Sequence, residues 1–140
     1  MIAVEQRLQS SYPNLAPFHP GQAYPEYPWG RDYVARSKND VYDMLRAVFV
    51  RLGLDSDSFG TASWNPLCGM VQPGMTVLIK PNMVLHSQTG KPNGHLDSLV
   101  THPALVRAVT DYVAIALGGS GRIIIGDAPL QSCDFGALLK

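Results

Sequence analysis

An α/β fold is the class this sequence predicts, built on a parallel sheet with a βαβ crossover, and three observations predict it. Thr76 to Lys80 (TVLIK) carries a continuous apolar run, the mark of a strand buried on both faces. Arg122 to Gly126 (RIIIG) carries a second. Between them Leu105, Val109, Tyr112, Val113 and Ala116 recur at the three- and four-residue steps of an amphipathic helix. Strand, loop, helix and strand in this order make a right-handed crossover with two parallel, neighbouring strands. Two strands are too few for an independent sheet. The chain is therefore expected to be the N-terminal part of a longer protein, within a larger three-layer α/β domain.

Element by element, the chain divides into an extended segment over residues 1–36 and an α/β domain over 37–140, expected to be incomplete at its C-terminus. In the first part, Pro13, Pro17, Pro20, Pro25 and Pro28 alternate with Tyr12, Tyr24, Tyr27 and Trp29. Prolines so spaced forbid a long helix and favour an extended segment docked on a body; a recognition arm for a proline-binding module is the other reading. From Asp40 the pattern turns helical. Val41, Met44, Leu45, Val48 and Leu52 form one stripe, expected to be the buried face, with Ser37 or Asn39 as cap and Gly53 as stop. Residues 55–74 read as loop, and Pro73-Gly74 is a type II turn signal before the strand. Residues 81–101 lack periodicity, which is long for an idle connection. Thr101 or His102 caps the next helix, with Pro103 in its first turn, and Gly118-Gly119 stops it. Gly118-Gly119-Ser120-Gly121 follows a helix and precedes a strand, the wrong order for a phosphate loop. FGALLK at the end starts a further helix.

Composition excludes several function classes. At 140 residues and 46% hydrophobic, there is room for one modest core. Lys plus Arg number 11 and Asp plus Glu number 11, so no long-range field draws in nucleic acid or an anionic membrane surface. Any anion site is local. No apolar run approaches the ~20 residues of a membrane span, and MIAVEQRLQSS lacks a basic n-region and a continuous h-region. Cys68 and Cys133 form neither a CxxC pair nor a disulfide framework. A soluble, cytoplasmic protein follows as the expectation, and a homo-oligomer stays open.

The crossover puts Lys80-Pro81-Asn82 and Asp127-Ala128-Pro129 at the carboxyl ends of both strands, the edge where open α/β sheets place ligands. Lys80 can bury its stem while its ammonium holds a carboxylate or phosphate; desolvated, it could act as a base or form a Schiff base. Asp127 suits a general base, a metal-binding oxygen or a hydroxyl acceptor. Paired with each other, the two would instead tie the strands together. Asn82 either caps the turn or presents its amide to a ligand, and Thr101 and His102 at a helix start offer an anion site if the loop returns the helix to this edge. His86, His95 and Asp97 are the metal candidates, although their spacing matches no zinc motif. Lys91-Pro92-Asn93-Gly94 reads as a turn or a lid tip. Cys68 and Cys133 have no neighbouring histidine in sequence and read as core or surface residues.

VLIKPNMV, the THPALVRAVTDYV helix and GRIIIGDAP, with NDVYDMLRAVFVRLGL and NPLCGMVQPGMTVLIKPNMV upstream, together resemble the amino-terminal half of the family catalogued as domain of unknown function number 362. The likeness spans about residues 38–140, most strongly 72–129. It implies an α/β protein, usually longer than this chain, in some members with a ferredoxin-like iron–sulfur segment whose cysteine cluster this sequence lacks. The family's biochemical role is largely unassigned. A looser likeness of layout to nickel-pincer lactate-racemase-type proteins is a fold analogy and transfers no reaction.

The expected function is an enzyme, or the N-terminal part of one, that binds a small anionic metabolite at the sheet's carboxyl edge, with Lys80 and Asp127 as the catalytic pair. Its alternative is a non-catalytic ligand-binding or iron–sulfur redox accessory module. Cofactor and reaction are not named by these residues.

Overall fold

Among the described residues the α-helices and strands run in the order α1 (Val41–Arg51), β1 (Thr76–Ile79), α2 (Pro103–Leu117), β2 (Arg122–Ile125) and α3 (Phe135–Leu138). The computed structural model describes residues 1–87, 96 and 98–139. β1 and β2 pair in parallel, with Thr76 opposite Arg122 and Ile79 opposite Ile125. The fold is thus α/β, with α2 as the crossover helix. The turn before β1 is built as its sequence dictates: Met75 N–H donates to Gln72 O at 3.2 Å, and Gly74 takes a φ of +88° that favours glycine.

Local chemistry also sets the helix ends. The N-cap position of α1 is Asp40, not the expected Ser37 or Asn39, and its side chain makes no capping bond; Asn39, one residue earlier, accepts the Val41 N–H on Oδ1 at 3.1 Å, and Gly53 at φ +70° follows the last turn. His102 caps α2 by accepting the Ala104 N–H on Nδ1 at 3.1 Å, Pro103 takes the first helical position, and Gly118 in the left-handed region ends it.

α2 lies between α1 on one side and the sheet on the other. The core concentrates on the α1 side. Tyr42, Trp64, Tyr112 and Pro20 are fully buried there, and Tyr112 meets Phe49 and Trp64 edge-on at centroid distances of 5.3 and 5.9 Å. Residues of the N-terminal segment join this core. Tyr24 and Tyr27 are buried in it, and the Asn39 Nδ2 amide donates to the carbonyls of Phe18 and His19 at 3.2 and 2.9 Å.

Two buried carboxylates weld the segment to the helices. Glu26 accepts both Arg46 Nε and Nη2, at 2.8 and 3.1 Å, and the Tyr112 hydroxyl at 2.8 Å. Asp111 accepts the hydroxyls of Tyr42 and Tyr27 at 2.6 and 3.0 Å and Arg107 Nε at 2.9 Å. Burial, reinforced by the Asp111 carboxylate, pushes Tyr27 up to about 12, and burial raises Tyr42 and Tyr112 as well. The phenols therefore stay protonated and keep donating.

Two expectations about burial are corrected. The strands are covered on one face only: Val77, Ile79 and Ile123 pack toward the core, while Leu78 is 64% exposed and Ile124 38%. Their apolar runs signal an affinity for cover that α2 satisfies on one side. In α1 the buried residues are Val41, Tyr42 and Phe49, so of the expected stripe Val41 is buried whereas Met44, Leu45 and Val48 are half-buried. Large aromatics draw the helix toward α2, and rotate part of the aliphatic stripe away from the densest packing.

Candidate functional site

β1 ends at Ile79, one residue before Lys80, because Pro81 has no N–H to continue the ladder. Gly126 still donates to Ile79 O at 3.1 Å, which holds the two strand ends in register as they leave the sheet. Lys80 and Asp127 then meet. Lys80 Nζ lies 2.6 Å from Asp127 Oδ1, and Asp127 Oδ2 accepts the Met83 N–H at 2.8 Å. The Lys80 hydrogen bond, followed by that of Met83, holds the Asp127 carboxyl below the usual carboxylate range.

Exposure divides the pair unevenly. The Asp127 side chain is 6% accessible and that of Lys80 62%. An ammonium has three donors, so one bond to Asp127 leaves two for an incoming acceptor. Backbone and carboxylate thus aim a solvent-facing cation at the sheet's carboxyl edge.

The long connection returns to the same edge. Asn82 N–H donates to Thr101 Oγ1 at 2.9 Å, Thr101 N–H donates back to Asn82 O at 2.8 Å, and Met83 and Val100 form an antiparallel bridge. Asn82 and Thr101 therefore stand beside the Lys80–Asp127 pair and start α2 there. His102 follows, its ring stacked on Tyr12 with centroids 4.0 Å apart and flanked edge-on by Phe18 at 5.7 Å. The first N–H groups of α2 are engaged locally: Ala104 bonds the His102 ring and Leu105 the His102 carbonyl at 2.9 Å. This helix start serves as a capped end beside the site.

His86 does other work. Its Nδ1 accepts the Asp134 N–H at 2.9 Å, tying the chain after β1 to the start of α3, where Asp134 itself caps by accepting the Ala137 N–H at 3.0 Å. His95, Asp97 and the 91–94 loop tip lie outside the described residues. Among the described residues no group of three or more His, Cys, Asp or Glu side chains is placed to hold a metal. Cys68 and Cys133 are free thiols, one exposed and one half-buried. Cavities of about 320 and 380 Å³ lie elsewhere, and neither is lined by Lys80 or Asp127.

Sequence reasoning missed one participant, the Met83 backbone N–H. Nothing in a side chain advertises it, since its role follows from the turn that Pro81 imposes.

These strand-end residues fall inside a recognised family segment. Residues 77–140 match the family described as Domain of unknown function (DUF362). The DUF362 segment starts within β1 and includes Lys80, Asn82, Thr101, His102 and Asp127. It occupies the C-terminal part of the chain, which corrects the expected extent: α1 and the loop before the strand lie outside it, and its description as the family's amino-terminal half does not hold. No curated protein and no solved structure matches the chain. No helix among the described residues is long and apolar enough to cross a membrane.

Proposed function

We propose that the carboxyl edge of the β1–β2 sheet binds a small anionic metabolite, with Lys80 as the anion anchor and Asp127 as the group that orients it, in an α/β enzyme of the cytoplasm. The observation that carries this reading is the uneven exposure of the pair: a nearly buried carboxylate, fixed by accepting the Met83 N–H, holds a solvent-facing ammonium. A tie between strands would be served by two buried partners. A charge-assisted bond that leaves donors pointing outward suits capture of a carboxylate or phosphate oxygen. The Asn82 backbone and Thr101 exchange two hydrogen bonds that hold the turn beside the anchor, and the Asn82 side-chain amide takes no part in that exchange. Two free thiols accord with a reducing compartment.

The open sheet face supports the larger three-layer domain as part of the same reading. Each strand has one neighbour among the described residues, and parallel strands are ordinarily covered on both faces. In that arrangement further strands would extend the edge at which Lys80 stands.

Thermal-shift titration with phosphate, phosphorylated sugars and small carboxylic acids tests the site. The expected result is stabilisation by one anion class that Lys80→Met abolishes while the variant folds normally. An equal ligand response in Lys80→Met would overturn the anchor role and leave the pair as a strand tie.

A further inference from the structure

Met44, Leu45 and Val48 of α1, which the aromatic core leaves half-buried, form with the buried Val41 the wall of a separate cavity. Val41, Met44, Leu45 and Val48 stand at positions i, i+3, i+4 and i+7, and with Leu105 from the first turn of α2 they line a hollow of about 320 Å³. That volume falls at the small end of the range for ligand pockets, ~300–1,000 Å³. Residues 5–12 arch over it, with Tyr12 on the lining beside the α2 start.

Ion pairs, with the Tyr12–His102 stack at its end, hold this arch in place. Arg7 Nη1 lies 3.5 Å from Asp40 Oδ1 and 3.4 Å from Asp43 Oδ2, Glu5 Oε2 lies 2.6 Å from Arg51 Nη2, and Arg51 also donates to the Val4 carbonyl. Leu8 of the arch is exposed, as are Ile2 and Val4 before it. It therefore roofs the hollow without filling it.

The polar lining carries charge of one sign. Its charged groups are the carboxylates of Glu5 and Asp40, with no lysine or arginine, and the hydroxyls of Ser10, Ser11 and Tyr12, able to donate or accept, complete it. Arg7, Lys38 and Arg51 engage the two carboxylates, yet each carboxylate has about four lone-pair positions, so acceptor capacity remains. Acceptors at the mouth of an aliphatic hollow complement a hydrogen-bond donor and oppose an anion.

We propose that this cavity binds a small aliphatic molecule whose head group donates hydrogen bonds, a hydroxyl or an ammonium. It is a second site, independent of the anion edge and opposite to it in preference.

Titration of the full chain with octanol, octylamine and octanoate, followed by methyl NMR, tests the inference. Expected are saturable 1:1 binding of octanol and octylamine, octanoate weaker by roughly tenfold or more, and shifts at the methyls of Val41, Leu45, Val48 and Leu105. Octylamine binding should also fall in Glu5→Gln with octanol binding retained. Met44→Trp should occupy the hollow and reduce both affinities; if that variant fails to fold, the methyl shifts of the unaltered chain decide alone. Absence of saturable binding, octanoate equal to octylamine, or shifts confined to other residues would overturn it. So would contacts between Leu8 and Leu45 in the free chain with tighter binding in Leu8→Ser, since the arch would then be the occupant.

Discussion

Arg46 and Lys80 are both cations held by carboxylates, on opposite sides of α2, and the two sides use that pairing differently. Arg46 is fixed by two bonds to Glu26 and enclosed by the rings of Tyr24, Trp64 and Phe59 at 4.1, 5.1 and 5.4 Å from its guanidinium carbon. Its pair sits in the interior, and the aromatic core closes around it. Lys80 has one carboxylate contact and no such enclosure. Its layer of the molecule is a two-stranded sheet with an uncovered face. The helical side thus encloses its charge in packed aromatics, whereas the sheet side leaves its cation and one apolar face exposed.

The largest effect should come from breaking the closed side. Glu26→Ala strips Arg46 and the Tyr112 hydroxyl of a shared acceptor in the core, and a loss of about 3–5 kcal/mol is expected in denaturant unfolding. A cost below about 1 kcal/mol would mean that water reaches the pair and that the two sides are less different than described. Next comes the junction between the sides. Gly121 has a φ of +135°, and a Cβ there would lie 2.5 Å from Met75 O and 2.8 Å from a Leu117 methyl, so Gly121→Ala should cost roughly 1–3 kcal/mol, read from Tm and strand-region amide exchange.

Smaller effects belong to the exposed pair. Lys80→Met should change Tm little, and the change should shrink further in salt, because solvent already screens the ammonium. Asp127 supplies the pH arm of this test. Its native carboxyl titrates below its unfolded value, so the folded state binds fewer protons, and its stabilising contribution is present above the ordinary carboxylate pKa and fades as pH falls through the native one. Stability should therefore decline on the acid side, and Lys80→Met should weaken that decline by removing its first cause. A steeper acid loss in the variant would contradict the assigned partner. Least of all should be felt at Leu78→Lys on the open face, within about 0.5 kcal/mol, whereas a cost of 2 kcal/mol or more would show this face to be covered in solution.

Much of the α/β layout was legible because its signals are local. Pro73-Gly74 dictates a turn, Pro103 and Gly118 bound a helix, and the two apolar runs pick out the strands. The meeting of Lys80 with Asp127 was legible too, as a consequence of two parallel strands ending at one edge. Less of the remainder could be read. The Asn82–Thr101 exchange spans 19 positions, and the Tyr27–Asp111 bond spans 84, distances over which no periodicity carries information. The aliphatic stripe of α1 shows a further limit. Periodicity identifies a helix with an apolar face but not which of two apolar faces the aromatics will claim.

By itself, then, the sequence determined where strands, turns and helix ends fall, since proline, glycine and capping side chains act on backbone groups within a few residues. Only the tertiary structure decided which charges are enclosed and which face water. That outcome depends on packing between segments far apart in the chain: Glu26 and Arg46 became an interior pair because Tyr24 and Trp64 closed around them, and Lys80 stayed exposed because among the described residues nothing covers the outer face of its sheet.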